Sequence, residues 1–382
     1  MRCFPPCSQM WNKERKLEIM GKKLFRKELE MFQPYVPGKP IEEVKREYGL
    51  TDIEKLASNE NQLGPSPLAV EAVIRAAKDI NQYPEATAIL LKKDLAEEYS
   101  VKPENLVIGN GGEELLSIIA QTFINEGDEV IVAAPSFGIY NTTTGLLGAK
   151  VITVPFKDKD YDFPGFVAAV TEKTKLIYVC SPNNPTGNIV KKEALDYLYA
   201  NIPEDVVVII DEAYYDFAVV NPEYPNSLEY LKKRPNTVIL RTFSKISGIA
   251  GLRIGYVITS EEIAAEMNKV KLTFDVNRLA QEAARAALKD KEHIKKTVEL
   301  NYRSLAMMEK YFDEAGFKYF KSYANFIFVD VKKHSAAVFE ELLKRGVIIR
   351  PGHFWGYDNW IRISTGTEEQ TEKLIRCLKE II

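Results

Sequence analysis

Short apolar runs recur along the middle of the chain, and they narrow the fold more than any other feature. They cover Glu129 to Ala133, Val151 to Val154, Leu176 to Cys180, Val206 to Ile210, Thr237 to Leu240 and Ile254 to Ile258. Runs this brief, rich in Val and Ile, read as strands buried on both faces, and helix-length segments separate most of them. The alternation predicts an α/β layer fold with a largely parallel sheet. Ligands of such sheets sit beyond the strand carboxyl ends. There the chain places Ala134 to Tyr140, Ser181 to Gly187, Asp211 to Tyr214 and the loop around Lys245, whose polar and aromatic residues are expected to share one crevice.

The stretch Arg241 to Tyr256 carries the most pointed chemistry. Lys245 follows a buried strand, where lost hydration disfavours its charged form and frees the amine as a nucleophile toward a carbonyl. The hydroxyls of Thr242 and Ser244 and the guanidinium of Arg253 beside it suit a phosphate. Amine, hydroxyls and guanidinium together describe a seat for pyridoxal phosphate. A Ser/Gly-rich loop with solvated charges is the plainer alternative.

With 382 residues and 46% hydrophobic content, the chain has material for two domains. Its 51 Lys and Arg against 54 Asp and Glu leave a net charge of -3, which argues against nucleic acid or an anionic membrane and for small-molecule chemistry. Cysteines at 3, 7, 180 and 377 and histidines at 293, 334 and 353 lack metal-ligand spacing, so no metal is expected. No apolar run reaches membrane-spanning length and the opening residues lack the core of a secretory signal, so the expected location is the cytoplasm.

Residues 1–22 mix prolines, cysteines and charges and are expected to form a poorly ordered leader. Residues 23–57 include a proline-punctuated arm, Met31 to Pro40, which cannot be regular helix and must lie on something, a second subunit being one choice. A large domain is expected at 58–272 and a smaller α+β domain at 273–382, with the crevice between them. Helical periodicity covers Ala280 to Leu288 and His293 to Phe312; strands follow at Phe326 to Val329, Val347 to Ile349 and Trp360 to Ser364. Leu106 to Leu116 passes from a short strand through glycines into an amphipathic helix, whose first-turn amides would bind phosphate; a plain tight turn is the equal alternative.

Four pieces in this order, Ser181 to Gly187 (Ser-Pro-Asn-Asn-Pro-Thr-Gly), Asp211 to Tyr214 (Asp-Glu-Ala-Tyr), Thr242 to Lys245 (Thr-Phe-Ser-Lys) with the later Gly-Leu-Arg, and Ile361 to Ser364 (Ile-Arg-Ile-Ser), resemble a known family. They are similar to the fold-type I pyridoxal-phosphate aminotransferases, and among them to the histidinol-phosphate aminotransferase branch, from about Tyr35 to the end of the chain. The resemblance implies an aspartate-aminotransferase-like large domain with a mostly parallel seven-stranded sheet sandwiched by helices, a smaller α+β domain, and a homodimer with shared active sites.

By that resemblance Lys245 forms the Schiff base with pyridoxal phosphate and then moves the proton between the substrate α-carbon and the cofactor. Asp211 faces the pyridinium nitrogen, Asn184 and Tyr214 bond the phenolic oxygen, and Phe137 stacks on the ring where the family often has tyrosine. The phosphate falls to the amides of Gly112 and Glu113, to Thr242, Ser244 and Arg253, and to Tyr83 of a neighbouring subunit. Arg362 clamps a substrate carboxylate or phosphate, Arg350 makes a second anion contact, and Tyr35 and Asn59 complete the pocket. Asp275 stands where asparagine is expected, and His353, Phe354, Trp355, Tyr357 and Trp360 form an unusually aromatic segment; both features bear on the substrate. Taken singly, Asn184 reads as a turn residue, Tyr214 as a packed ring and Arg350 as half of a surface ion pair.

The implied reaction interconverts histidinol phosphate with 2-oxoglutarate and imidazole-acetol phosphate with glutamate, in two half-reactions with ping-pong kinetics. Rival readings are an aminotransferase for aromatic or other amino acids, a lyase acting on a phosphorylated amino acid, and a silent ligand-binding module on the same fold. A panel of amino donors separates the first two from the implied reaction. The complete set of Lys245, Asp211, Tyr214 and Asn184 argues against the third.

Overall fold

A computed structural model describes residues 18–19, 22–34 and 38–382. Tyr35 and most of the expected leader lie outside the described residues; at its end, Glu18–Ile19 pairs antiparallel with Lys22–Lys23.

All six apolar runs are strands. With a short strand before them they build a seven-stranded sheet from β1 (Leu106–Gly109), β2 (Glu129–Ala134), β3 (Lys150–Pro155), β4 (Thr174–Cys180), β5 (Val207–Asp211), β6 (Thr237–Thr242) and β7 (Gly255–Ile258). The order across the sheet is β1-β7-β6-β5-β4-β2-β3. Strands β2 to β6 pair in parallel, whereas β7 lies antiparallel between β6 and β1. The reversal has a simple cause: residues 243–254 form a loop with no α-helix to carry the chain back across the sheet, so the chain turns and pairs beside the strand it has just left.

Alternate side chains of the strands feed opposite faces, as a period of two requires. Val207 and Ile209 pack with Leu115, Ile119 and Met267 on one face, and Val208 and Ile210 with Phe163, Phe166 and Leu198 on the other. Both faces are covered by helices, which is why these strands tolerate no polar alternation.

The second sheet is antiparallel, with β8 (Lys318–Tyr319), β9 (Phe326–Asp330), β10 (Arg350–Pro351) and β11 (Trp360–Ser364) in the order β8-β9-β11-β10. Helices Lys291–Glu314 and Glu368–Ile381 share its core, the latter opened by a capping box between Thr367 and Gln370. The expected strand at Val347 is shorter than its apolar run: Val347–Ile348 pairs in parallel with Glu54–Lys55 and not with the second sheet.

Helix Arg278–Lys289 departs from the expected division at residue 272. Its Ala280, Ala283, Ala284 and Ala287 pack with Leu91, Leu106, Ile239 and Tyr256 of the large sheet's core. Small side chains let this helix sit close to its neighbours, and the packing places residues 278–289 with the large sheet. The arm lies against both parts: Val44 and Ala57 pack with Leu343 and Ile348, and the Phe32 ring fills the space beside Gly145, where a Cβ would come within 2.6 Å of it. Among the described residues no helix is long and apolar enough to cross a membrane.

Candidate active site

Strand register gathers the chemistry. Gly255 pairs with Thr242 on one side and with Gly109 on the other, so three strand ends stand in a row. The turn after Gly109, the hydroxyls after Leu240 and the arginine before Gly255 therefore meet at one edge, although they are far apart in the chain. A cavity of about 810 Å³ opens there. It is lined by Gly112, Glu113, Phe137, Asn184, Asp211, Tyr214, Thr242, Ser244, Lys245 and Arg253 from the large part, by Arg350 and Arg362 from the second sheet, and by Asn59.

Gly111 takes φ +89°, a conformation natural to glycine, and a Cβ there would come within 2.6 Å of Arg253 Nη2. The guanidinium thus lies across the start of helix Gly112–Phe123, whose first-turn amides have no preceding turn to bond to. Arg253 itself is left-handed, with φ +59°, and donates to the Ala250 carbonyl at 3.0 Å. Ser244 N–H donates to Thr242 Oγ1 at 3.1 Å, and the two hydroxyls are 3.0 Å apart. Guanidinium, hydroxyls and helix start lie together, and such a set of donors could hold a dianion.

Lys245 Nζ donates to the Ser58 carbonyl at 3.2 Å. Burial first, and then the neighbouring guanidinium of Arg362, lower its pKa to about 8, with Arg253 and Lys55 acting in the same sense and Glu60 opposing. Asp211 ends β5 and is pushed up to about 6 by burial, against the hydrogen bonds it accepts from Tyr140 O–H at 2.7 Å and Ala213 N–H at 3.0 Å. Tyr140 is stacked on Tyr178 with centroids 4.5 Å apart, and Phe137 meets its edge at 5.7 Å.

Tyr214 O–H receives Asn59 Nδ2 at 2.9 Å and Asn184 Nδ2 at 3.5 Å. Arg362 donates to Asn184 Oδ1 and, at 2.7 Å, to the Ala57 carbonyl, and its guanidinium lies 5.3 Å from the ring centres of both Phe326 and Trp355. Arg350 is buried with its guanidinium 4.3 Å from the Phe354 ring centre. Asn59, at φ +56°, bonds Ser364 through both its backbone N–H and its side chain.

Other expected positions fall elsewhere. Tyr83 does not line the cavity; it is 79% exposed and stacks on Phe274 at 4.7 Å. Asp275 is ion-paired with Lys271 away from the cavity. Of the aromatic segment, only Phe354 and Trp355 line the site. Tyr357 and Trp360 pack on Phe328, at 5.5 Å and 5.0 Å, and His353 hydrogen-bonds Ser335. Tyr140 went unrecognised as a partner of Asp211. The signal was present, a tyrosine at the start of the short helix Ile139–Gly145 that follows β2, next but one to β5, but nothing local says which residue there turns inward. Glu60 lines the site for the same kind of long-range reason.

A sequence profile described as "Aminotransferase class I and II" matches residues 51–378. The chain belongs to that family. It is a transaminase. The histidinol-phosphate aminotransferase of Moorella thermoacetica is 49% identical to this aminotransferase over 351 residues, covering 92% of this chain and 91% of that protein. The Caldicellulosiruptor saccharolyticus protein of the same name is 44% identical, covering 94% and 100%. Among solved structures, the Sinorhizobium meliloti histidinol-phosphate aminotransferase in complex with pyridoxal-5'-phosphate superposes with a TM-score of 0.85 at 28% identity, covering 95% of this aminotransferase and all of that chain. The Thermus thermophilus aspartate aminotransferase with maleate shares the fold, with a TM-score of 0.82 at 24% identity over 94% of this chain and all of that one.

Proposed function

We propose that this transaminase takes histidinol phosphate as amino donor and 2-oxoglutarate as acceptor, through pyridoxal phosphate held in the cavity, and that it works as a homodimer. The observation that carries the reading is the presence of two buried guanidiniums, Arg350 and Arg362, in the cavity that also holds the Lys245 amine. A phosphate ester offers three oxygens and two charges, enough to engage both forks at once. The names of the relatives at 44–49% identity support the same substrate.

The residues present fit the cofactor on two counts. Gly111 leaves a space that a Cβ would fill beside Arg253, next to helix-start amides and two hydroxyls. Asp211 is a buried carboxyl with a raised pKa at the cavity wall, and such a group gains from a cation placed against it. Gly112, Glu113, Thr242, Ser244 and Arg253 would hold the phosphate, Asp211 the ring nitrogen, Asn184 and Tyr214 the phenolic oxygen, and Phe137 one ring face. When bound, pyridoxal phosphate supplies an aldehyde and an electron-accepting ring.

Lys245 Nζ, with a pKa near 8, has a useful neutral fraction around neutrality and can take a proton from the substrate α-carbon and return one. Asp211, as a carboxylate, would favour a proton on a ring nitrogen held against it. Arg362 and Arg350 orient the anionic end of the substrate, and Phe354 and Trp355, each with one of these guanidiniums against its ring, make that end of the cavity aromatic. The exposed ring of Tyr83 supports its assignment to the neighbouring subunit's site.

The test is a donor panel on the full-length protein with pyridoxal phosphate and 2-oxoglutarate. Histidinol phosphate is expected to exceed phenylalanine and tyrosine in kcat/KM by about 100-fold or more, the worth of one or two additional charge-assisted hydrogen bonds. Preference for an aromatic amino acid overturns the substrate assignment and leaves the cofactor reading standing.

A further inference from the structure

Behind the turn proposed to hold the cofactor phosphate lies an acid pair that the reaction does not use. Glu114, in the first turn of helix Gly112–Phe123, accepts from the backbone N–H of Asn110, and its Oε2 lies 3.2 Å from where a Cβ on Gly109 would stand. Its carboxyl therefore braces the turn 109–112 from behind. The same carboxyl meets that of Asp275. The Asp275 side chain is only 2% exposed; its Oδ1 pairs with Lys271 and accepts from the Val276 N–H at 2.9 Å. Its Oδ2 is buried and has no hydrogen-bond partner among the described residues.

Two carboxyls side by side with one ammonium between them disfavour a second negative charge. A hydrogen on the Glu114 side chain would give Asp275 Oδ2 a donor and leave an oxygen to accept from Asn110. Burial foremost, and the Asp275 carboxylate in the same sense, push the Glu114 carboxyl upward, against the Asn110 N–H and Lys271.

We propose that Glu114, wedged between Asn110 and Asp275, is a positioning residue that sets the Gly112 and Glu113 amides for the cofactor phosphate. The inference rests on the cofactor reading above. It also gives Asp275 a place: the residue belongs to the support of the phosphate turn and not to the substrate pocket. Phe274, next to Asp275 and at φ +61°, stacks on Tyr83, so the same anchor steadies the ring assigned to the neighbouring subunit.

Glu114→Gln is neutral yet keeps both contacts, because its oxygen can accept from Asn110 while its amide donates to Asp275. Glu114→Ala removes both, and Glu114→Asp is too short to span them. Full-length apoprotein of each variant is followed by backbone amide exchange at residues 109–113 and by titration with pyridoxal phosphate. Ala and Asp are expected to speed the exchange and weaken the cofactor by about tenfold, as for one lost buried hydrogen bond, with Gln staying within about twofold of the parent on both. Glu114→Gln as defective as Glu114→Ala, or exchange unchanged in both broken variants, overturns the proposal. Thermal melting reports whether Glu114→Ala folds; if it does not, Glu114→Asp against Glu114→Gln decides. Should the protein bind no pyridoxal phosphate, the exchange arm still reads the brace, so the two failures remain distinct.

Discussion

Tyr140→Phe isolates a single hydrogen bond at the buried Asp211 carboxylate. The change deletes the hydroxyl that donates to Asp211 Oδ2 at 2.7 Å and keeps the ring that stacks on Tyr178. Asp211 ionises at about 6 rather than 3.8 because burial outweighs the Tyr140 and Ala213 donors. A hydrogen bond to a charged group is worth about 1.5–3 kcal/mol, so its loss moves the carboxyl further up, to about 7 or 8. The sign follows from proton linkage. A carboxyl raised in the folded state holds a proton that the unfolded chain has released, so stability is full below the unfolded value and falls as pH rises to the folded one. In the parent that fall ends near 6 and amounts to about 3 kcal/mol. In Tyr140→Phe it continues and deepens by about 1.5–3 kcal/mol. Urea unfolding of the apoproteins at one subunit concentration, at about pH 5 and about pH 8.5, measures it, since association would otherwise shift the midpoints. The variant should lie within about 1 kcal/mol of the parent at the lower pH and fall clearly behind at the higher. An equal deficit at both would refute the claim that Tyr140 stabilises the ionised form.

Gly111→Ala forces a Cβ into the 2.6 Å gap before Arg253 at a φ of +89°, and should weaken pyridoxal phosphate binding to the apoprotein by about tenfold or more; unchanged affinity would remove Arg253 from the phosphate seat. Arg362→Lys keeps the charge but loses the fork, and the KM for histidinol phosphate should rise by about tenfold while the cofactor remains bound; equal KM values would take Arg362 out of substrate recognition. In the apoprotein, pH-dependent labelling of Lys245 with an amine reagent should show a midpoint near 8, moving upward in Arg362→Ala because a neighbouring positive charge is gone. A midpoint that stays put would mean burial alone sets it.

Some of the site was legible because its signals are local. Lys245 with Thr242 and Ser244, and Asp211 with Tyr214, lie within a few residues of a strand end, and a strand end in a parallel sheet is where ligands sit. Tyr140, Asp275 and the segment around Trp360 were harder because their roles depend on neighbours distant in the chain. Asp275 looked like a substrate residue from its position in a motif, yet its carboxyl faces Glu114, some 160 positions earlier in the sequence. The aromatic run 353–360 divides between cavity and core because a 3-10 turn at Gly352–Trp355 and the return into β11 point successive rings in different directions.

The order of residues alone determined that strands alternate with helices, since a strand covered on both faces must be continuously apolar whatever its neighbours are. It also determined where the reactive groups stand relative to those strands. Only the folded chain decided that β7 reverses between β6 and β1, that Gly255 therefore lies between Thr242 and Gly109, and that helix Arg278–Lys289 joins the large sheet's core. Pairing partners, register and the choice of neighbour are settled by the packing of whole elements against one another, and hydrophobic periodicity records which face of a segment is buried without recording against what.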